Sequence, residues 1–388
     1  MTRSAKKQVW LEITHVLVSP TRFTTGVGYL TEELVRALLK RDATYDYTLA
    51  GNLLFTRPLN PILTETSAPR RLFRLLPGKV WNQLFKRHLL PPITWLLHGR
   101  PDAVVFFNFV RFPVSRGVRT LTFIHDLGFM VHPEFVAEAN FGWLKHCGPS
   151  ARQSTRVLTI SEATKRDITK YFNVPAAKIS VIYPGVDIKR FENAELSSGQ
   201  RQRYGLSSDY FLYVGTLEPR KNLTGIIAAY RQLDAQLQRQ HNLVLAGGKG
   251  WNDAEIWAAI KAYDGPGKIV TPGYIAAADV GGLYRGATAF VFPSHYEGFG
   301  MPVLEAMAAG TPVITATNSS LPEAAGEAAL LVDATDSTAI AAAMTTLATD
   351  RRRRTALIAA GRRHVQQFTW ENSAQQLEAA IDAAFDST

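Results

Sequence analysis

The chain has 388 residues, too many for one ordinary hydrophobic core and suited to two domains of roughly 100–200 residues each. With 46% hydrophobic and 20% charged residues it is neither disordered nor fibrous, and it holds no uninterrupted apolar run long enough to cross a bilayer. A net charge of +10 calls for anionic partners, either phosphorylated ligands or an anionic surface; nucleic acid is not expected, because no recognised binding motif accompanies the charge.

The first stretch, "MTRSAKKQVWLEITHVLV", carries basic residues and then an apolar run broken by Glu12, Thr14 and His15. No small-residue cleavage site follows, so a short tail and a first strand are expected rather than a signal peptide. In "TTGVGYLTEELVRAL", Gly26 and Gly28 precede a helix, a candidate anion site at a helix N-terminus. Thr31 stands where the last glycine of GxGxxG would be, so a nicotinamide-binding fingerprint is not supported. A strand is expected at "YTLAGNLL".

From Ala68 to Pro101 there is no acidic residue, but there are Arg70, Arg71, Arg74, Lys79, Lys86, Arg87 and Arg100, interleaved with Leu, Phe and Trp. This suits a basic amphipathic helix on an anionic membrane surface, and equally a helix whose apolar stripe packs on its own domain. Strands follow at "AVVFFN", "TLTFIH", "RVLTIS" and "SVIY", with a helix at "EATKRDITKYF". "TLTFIHDLGF" puts His125 and Asp126 at a strand end, where open α/β sheets place ligands. His125 could serve as a general base, as a hydroxyl's hydrogen-bond partner or as a satisfied structural histidine. Cys147 is the single cysteine, which rules out an intramolecular disulfide and fits a small buried core residue in a reducing compartment.

The polar stretch from about 186 to 208 lacks a clear strand and reads as the seam between two domains, 1–190 and 208–368. In the second half, strands are expected at "YFLYVG", "NLVLAGG", "KIVTPG", "TAFVFPS", "PVITA" and "ALLVD", separated by helical patterns. Short apolar strands alternating with helices imply parallel sheets covered on both faces. The run Arg351–Arg354 follows Asp350 and opens a helical pattern, a solvated helix face.

Two stretches of this half carry chemistry. In "YVGTLEPRKNLTGIIAAY" a strand ends at Gly215 and a helix begins near Asn222, with Arg220 and Lys221 between them. Adjacent cations at a helix start oppose the helix dipole and make sense beside a bound diphosphate; pairing with Glu218 is the plainer alternative. In "SHYEGFGMPVLEAMAAGTPVI" Glu297 is expected on a strand-to-helix loop and Glu305 in the first helical turn, with Pro302 at the first helical position. Gly298 and Gly300 allow close backbone approach, and the amides of the loop open towards the helix N-terminus. The acids suit sugar or ribose hydroxyls, with helix-cap carboxylates as the alternative. No cluster has metal-ligand spacing, and no nucleophile elbow is present.

Together these residues resemble glycosyltransferase family 4, the retaining nucleotide-sugar transferases of GT-B fold. The likeness covers nearly the whole chain. Its most specific element is "EGFGMPVLE", the family's E-x7-E motif, and "GTLEPRKN", "LAGGKGW", "GYI", "LPEAAGEAALLVD" and "FTWENSAQQLEAAI" lie in the expected order. The resemblance implies an α/β fold of two Rossmann-like domains facing each other across a cleft, the first binding acceptor and the second the nucleotide-sugar. Residues 369–388 would form a helix packing back on the first domain. It is strongest to bacterial mannosyl- and rhamnosyltransferases of lipopolysaccharide and exopolysaccharide assembly, which often use GDP-mannose.

The roles implied are specific. Arg220 and Lys221 would hold the donor diphosphate, with Gly215 in the same loop. Glu305 would bind the ribose, and Glu297 would face the donor sugar. The amides of Phe299, Gly300 and Met301, beside Gly298, would contact sugar hydroxyls or phosphate. Tyr274 and Ile275 would meet the base, Gly28 would abut the phosphates, and His125 would touch the donor sugar. Thr216 stands where several relatives carry Arg, which shifts phosphate binding onto Arg220 and Lys221. No metal or other cofactor is implied. The expected partners are a nucleotide-diphosphate sugar and an oligosaccharide or lipid-linked acceptor, at the inner face of the cytoplasmic membrane. Other donors (GDP-rhamnose, UDP- or dTDP-sugars) remain open, and so do other classes: a glycoside hydrolase also uses two carboxylates but leaves the two cations without a task, a nucleotide-sugar epimerase would not need the E-x7-E stretch, and a non-enzymatic binder would keep the cations but not turn over.

Overall fold

A computed structural model describes residues 6–17, 26–41, 44–52, 61–73, 78–87, 89–136 and 142–386. The chain forms two compact units: Met1–Leu127, Glu138–Gly185 and Trp370–Thr388 make the first, and Gly128–Ala137 with Val186–Thr369 the second.

The first unit holds strands β1 (Gln8–Glu12), β2 (Asp46–Asn52), β3 (Arg70–Phe73), β4 (Ala103–Phe106), β5 (Arg119–Phe123), β6 (Arg156–Thr159) and β7 (Ile179–Val181) in one seven-stranded sheet of order β3-β2-β1-β4-β5-β6-β7. Every pairing is parallel. The second holds β8 (Asp209–Val214), β9 (His241–Ala246), β10 (Ile269–Gly273), β11 (Ala289–Phe292), β12 (Val313–Ala316) and β13 (Ala329–Val332) in order β10-β9-β8-β11-β12-β13, again all parallel. β4, β9, β11 and β12 are buried at every residue, which is why they read as continuous apolar runs rather than alternating ones. Each sheet reverses strand order once, between β1 and β4 and between β8 and β11, and such reversals are where open α/β sheets place ligands.

Several sequence expectations change. β1 stops at Glu12, and Thr14–Leu17 turn into a short helix instead of extending the strand. Gly26 and Gly28 do not precede the first long helix; Gly26 is its first residue, and the helix runs Gly26–Lys40. The polar seam after Val186 is no free linker. It forms the helices Ile188–Glu192 and Ser198–Arg203, capped by Asp187 and Ser197 and held to the second unit by Arg190 to the Ala277 carbonyl (2.7 Å) and Gln200 to Asp279 (2.7 Å). Residues 128–137, placed in the first domain on sequence, group with the second unit.

The basic segment opens on an edge strand, β3, not on a helix; Arg74 lies outside the described residues. Most of its apolar residues point inward: Phe73, Trp81, Phe85, Leu90, Ile93 and Leu97 join Trp10, Val104 and Phe106 in one core cluster. Arg71 is spent internally, donating to the carbonyls of Leu97 (3.0 Å) and His98 (2.7 Å). Leu89 and Trp95 remain outside, 64% and 66% exposed. Among the described residues, no helix is long and apolar enough to cross a membrane.

The closing helix, Trp370–Asp386, is part of the first unit. Gln376 accepts from the Tyr183 amide (2.8 Å), Arg119 donates to the Ala384 carbonyl (2.8 Å), and Glu378 accepts from Arg41 (2.8 Å). Cys147 is buried, and burial pushes its thiol well above the usual range, so it is an inert core residue.

Candidate functional site

The site of the second unit is assembled where its strand order reverses. β8 delivers the chain to Gly215, whose φ of +152° favours glycine, and the chain reaches a single tight turn, Pro219–Lys221. Asn222 closes that turn in the left-handed region at φ +58° and starts the helix Leu223–Arg231. The Asn222 side chain donates to the carbonyls of Pro293 (3.1 Å) and Ala334 (2.6 Å), which fastens the turn to the ends of β11 and β13. The His295 amide donates to the Arg220 carbonyl at 2.9 Å. Residues 77 positions apart in sequence thus meet because β8 and β11 are neighbours.

The result is a cluster of four charges. Arg220 donates from Nη1 to Glu297 Oε2 (2.8 Å) and the Tyr296 carbonyl (2.7 Å), and from Nη2 to Glu218 Oε1 (2.7 Å). Lys221 donates from Nζ to Glu297 Oε1 at 2.6 Å. Glu297 is itself held at both backbone ends: its amide donates to Ser319 Oγ (3.1 Å), and its carbonyl accepts from Ser320 Oγ (2.8 Å). Both acids are nearly enclosed, Glu218 at 1% and Glu297 at 8% exposure. Burial works against an ionised Glu297, but Arg220 and Lys221 outweigh it and hold the carboxyl down to about 2. Burial lowers the Lys221 ammonium, with the neighbouring Arg220 adding to that and Glu297 opposing it.

Arg220, Lys221 and Glu297 were all expected here from sequence, but as separate ligands of diphosphate and sugar. The structure joins them: Glu297 is the shared counter-ion of both cations. Glu218, considered only as a surface partner of Arg220, is a buried member of the same cluster. Ser319 and Ser320 carried no signal in sequence, and only the fold brings them to the loop; Asn222 marked the helix start, but its side-chain bonds to the Pro293 and Ala334 carbonyls were not legible.

Beyond Glu297 the loop reaches Gly300, the N-cap of the helix Met301–Ala308, at φ +106°. A Cβ there would sit 2.9 Å from Leu321 Cδ2, so only glycine fits both the turn and the packing. Phe299 is buried against Phe368, ring centroids 5.6 Å apart. Pro302 is the second helical residue rather than the first, and Glu305 lies beyond the first turn, so it does not act as a helix-cap acid. Glu305 instead accepts from Tyr284 Oη at 3.1 Å, and burial raises its carboxyl above the ordinary range. Tyr274 follows β10 and is 75% exposed, while Ile275 beside it is buried.

Gly28 and His125 belong to the first unit. Gly28 is in the first turn of Gly26–Lys40. His125 follows β5, is 3% exposed, and has its ring stacked on Phe123 (5.6 Å, 9°) and edge-on to Phe109 (5.2 Å). Its Nε2 lies 2.7 Å from the Phe107 carbonyl, and burial lowers its pKa. A carbonyl only accepts, so Nε2 carries a proton, and burial favours the neutral ring with Nδ1 bare.

Two Rossmann-like units, each with an all-parallel sheet reversing once, make up the GT-B architecture of glycosyltransferases. The chain belongs to glycosyltransferase family 4: residues 24–190 match Glycosyltransferase Family 4 and residues 200–364 match Glycosyl transferases group 1. It is 35% identical over 364 residues to the O-antigen chain mannosyltransferase B of Escherichia coli, covering 91% of this chain and 94% of that one. To the serotype-specific mannosyltransferase WbdA of Escherichia coli it is 27% identical over 263 residues, 66% of this chain and 32% of that one. Among solved structures, Anabaena HepE in complex with UDP and glucose superposes with a TM-score of 0.71 at 17% identity, over 97% of this chain and 100% of that one. Sucrose-phosphate synthase of Thermosynechococcus elongatus superposes with a TM-score of 0.73 at 20% identity, over 99% and 100%. The structural likenesses establish the fold.

Proposed function

We propose that this glycosyltransferase is a retaining α-mannosyltransferase. It would move mannose from GDP-mannose to a glycan acceptor carried on a lipid diphosphate, in the assembly of a bacterial surface polysaccharide. The observation that carries the chemistry is the Arg220–Lys221–Glu297 cluster at the strand-order reversal. The choice of mannose rests on the 35% identity to an O-antigen chain mannosyltransferase over nearly its whole length.

Breaking the sugar–phosphate bond leaves negative charge on the departing diphosphate. Fixed cations stabilise that charge most where water is scarce. Lys221 has three N–H donors and gives one to Glu297, so donors remain for phosphate oxygens. In this reading Glu218 and Glu297 hold the two cations rigid, and a diphosphate replaces part of their shared charge. Glu305, neutralised by burial more readily than Glu297, suits a neutral hydroxyl pair such as a ribose. Attack from the face that the phosphate leaves needs no enzymic nucleophile, and the departing phosphate takes the acceptor proton. Arg220 and Lys221 supply the charge compensation, so no metal ion is required. Leu89 and Trp95, exposed beside Lys86, Arg87 and Arg100, would seat the first unit on anionic lipid at the inner membrane face.

The test is transfer from a panel of GDP-, UDP- and dTDP-sugars to a lipid-diphosphate oligosaccharide, with and without chelator. Elongation with GDP-mannose that is indifferent to chelator is expected. Elongation from a different donor only would overturn the assignment of mannose, and transfer that survives Lys221→Met together with Glu297→Gln would overturn the site.

A further inference from the structure

His15 was not singled out by any motif, yet it repeats the arrangement of His125. It sits in the short helix Thr14–Leu17 just after β1, and its Nε2 lies 3.0 Å from Thr31 Oγ1. Thr31 has one hydroxyl proton and directs it to the Val27 carbonyl at 2.9 Å. Its oxygen must therefore accept from His15, which places the His15 proton on Nε2. The Phe107 carbonyl imposes the same tautomer on His125. In both rings Nδ1 is then a bare acceptor. Both Nδ1 atoms are enclosed and find no hydrogen-bond partner among the described residues. Burial, with His125 near enough to add to it, holds His15 down to about 3.

An enclosed acceptor without a donor costs free energy, and two of them at the carboxyl ends of β1 and β5 are a poor accident. Among the described residues no group of three His, Cys, Asp or Glu side chains is placed to hold a metal ion, and two neutral acceptors cannot attract anions. They match hydroxyl donors, and a sugar is the ligand class that brings hydroxyls in pairs. We propose that His15 is a sugar-hydroxyl acceptor which, through Nδ1 and together with Nδ1 of His125, reads the hydroxyls of a sugar bound to the first unit. Thr31 is the positioning residue that sets its tautomer. The inference rests on the glycosyl-transfer reading for the sugar, which comes either from the donor or from the acceptor.

The experiment uses the full chain as wild type, His15→Ala, His15→Gln and Thr31→Val. One arm measures competition by GDP-mannose analogues lacking a single sugar hydroxyl; the other measures acceptor glycans lacking single hydroxyls. In one arm, one deoxy compound should bind wild type about tenfold more weakly than its parent. His15→Ala should bind the two alike, His15→Gln should recover part of the discrimination through its amide oxygen, and Thr31→Val should lose part of it. GDP alone should bind all four proteins equally. Which arm responds identifies the sugar. In parallel, nitrogen-15 resonances of wild-type His15 and His125 should move at Nδ1 when the free monosaccharide glycoside is added, a readout that needs no turnover. Discrimination unchanged in His15→Ala across both arms, or an unmoved His15 Nδ1, overturns the proposal. Absence of transfer by wild type overturns the transferase reading instead, and the resonances still judge His15, even where His15→Ala does not fold.

Discussion

At the scale of single residues, Glu297 is the position on which most depends. It neutralises two cations that are themselves mostly enclosed, with Lys221 at 12% and Arg220 at 21% side-chain exposure. Removing one member of a buried ion pair typically costs about 3–5 kcal/mol, because the survivors keep their desolvation cost without compensation. Glu297→Ala is therefore expected to lower the stability of the second unit by about 3 kcal/mol, read as an earlier calorimetric transition. Lys221→Met should reduce transfer on the order of 100-fold, the usual loss when one fixed donor to a developing charge is removed. Glu305 behaves differently, because its partner Tyr284 is neutral and keeps other packing. Glu305→Ala should leave the melting temperature within a few degrees of wild type and raise the Kd for the nucleotide, and unchanged nucleotide affinity would count against its assignment to the ribose. The acids and the cations were legible in sequence as a chemical set. Their mutual pairing was not, because 76 residues separate Lys221 from Glu297 and only the adjacency of β8 and β11 closes that distance.

At the scale of elements, the buried strands were legible and the exposed or short elements were not. β4, β11 and β12 are covered on both faces and announce themselves as apolar runs. β3 escaped notice because it begins Arg70–Arg71, and charged residues on an edge strand are one way a sheet avoids pairing with another. The helices Ile188–Glu192 and Ser198–Arg203 are too short to show helical periodicity, and their only signals are the caps Asp187 and Ser197. The same element-level reading separates two roles within the basic segment. Phe85 is in the core between Phe112 and Trp143, ring centroids 5.4 Å from each, so Phe85→Ala should cost about 3–5 kcal/mol of stability. Leu89 and Trp95 lie outside that core. Replacing both by Ser should change stability by less than about 0.5 kcal/mol. The same double replacement should weaken co-sedimentation with anionic liposomes severalfold. Undiminished liposome binding would remove these two side chains from any membrane contact.

At the scale of the whole molecule, buried Glu12 of the first unit and Glu297 of the second are displaced in opposite directions, so these two groups contribute to the pH dependence with opposite sign, while Glu305 of the second unit is displaced in the same direction as Glu12. In the first unit Glu12, 5% exposed and accepting from the Thr14 amide at 3.1 Å, is pushed up to about 7, chiefly by burial. Its folded form holds a proton that the unfolded form releases near 4.5, so this group lowers stability progressively as pH rises from about 4.5 to 7. The full displacement corresponds to on the order of 3 kcal/mol. His15, held down to about 3, acts the other way: unfolding would bind a proton below its ordinary 6.5, so its contribution rises with pH between about 3 and 6.5. The two offset each other in wild type, and only a difference measurement exposes either. In the second unit Glu297, held down to about 2, stabilises fully above about 4.5 and loses that contribution as pH falls towards 2. Glu12→Gln keeps the shape of the side chain and cannot ionise. Its melting temperature relative to wild type should therefore increase steadily from pH 4.5 to 7 and level off above it, for the transition of the first unit alone. A constant difference across that range would mean that Glu12 is ionised in the folded protein throughout, with a compensating partner at the end of β1.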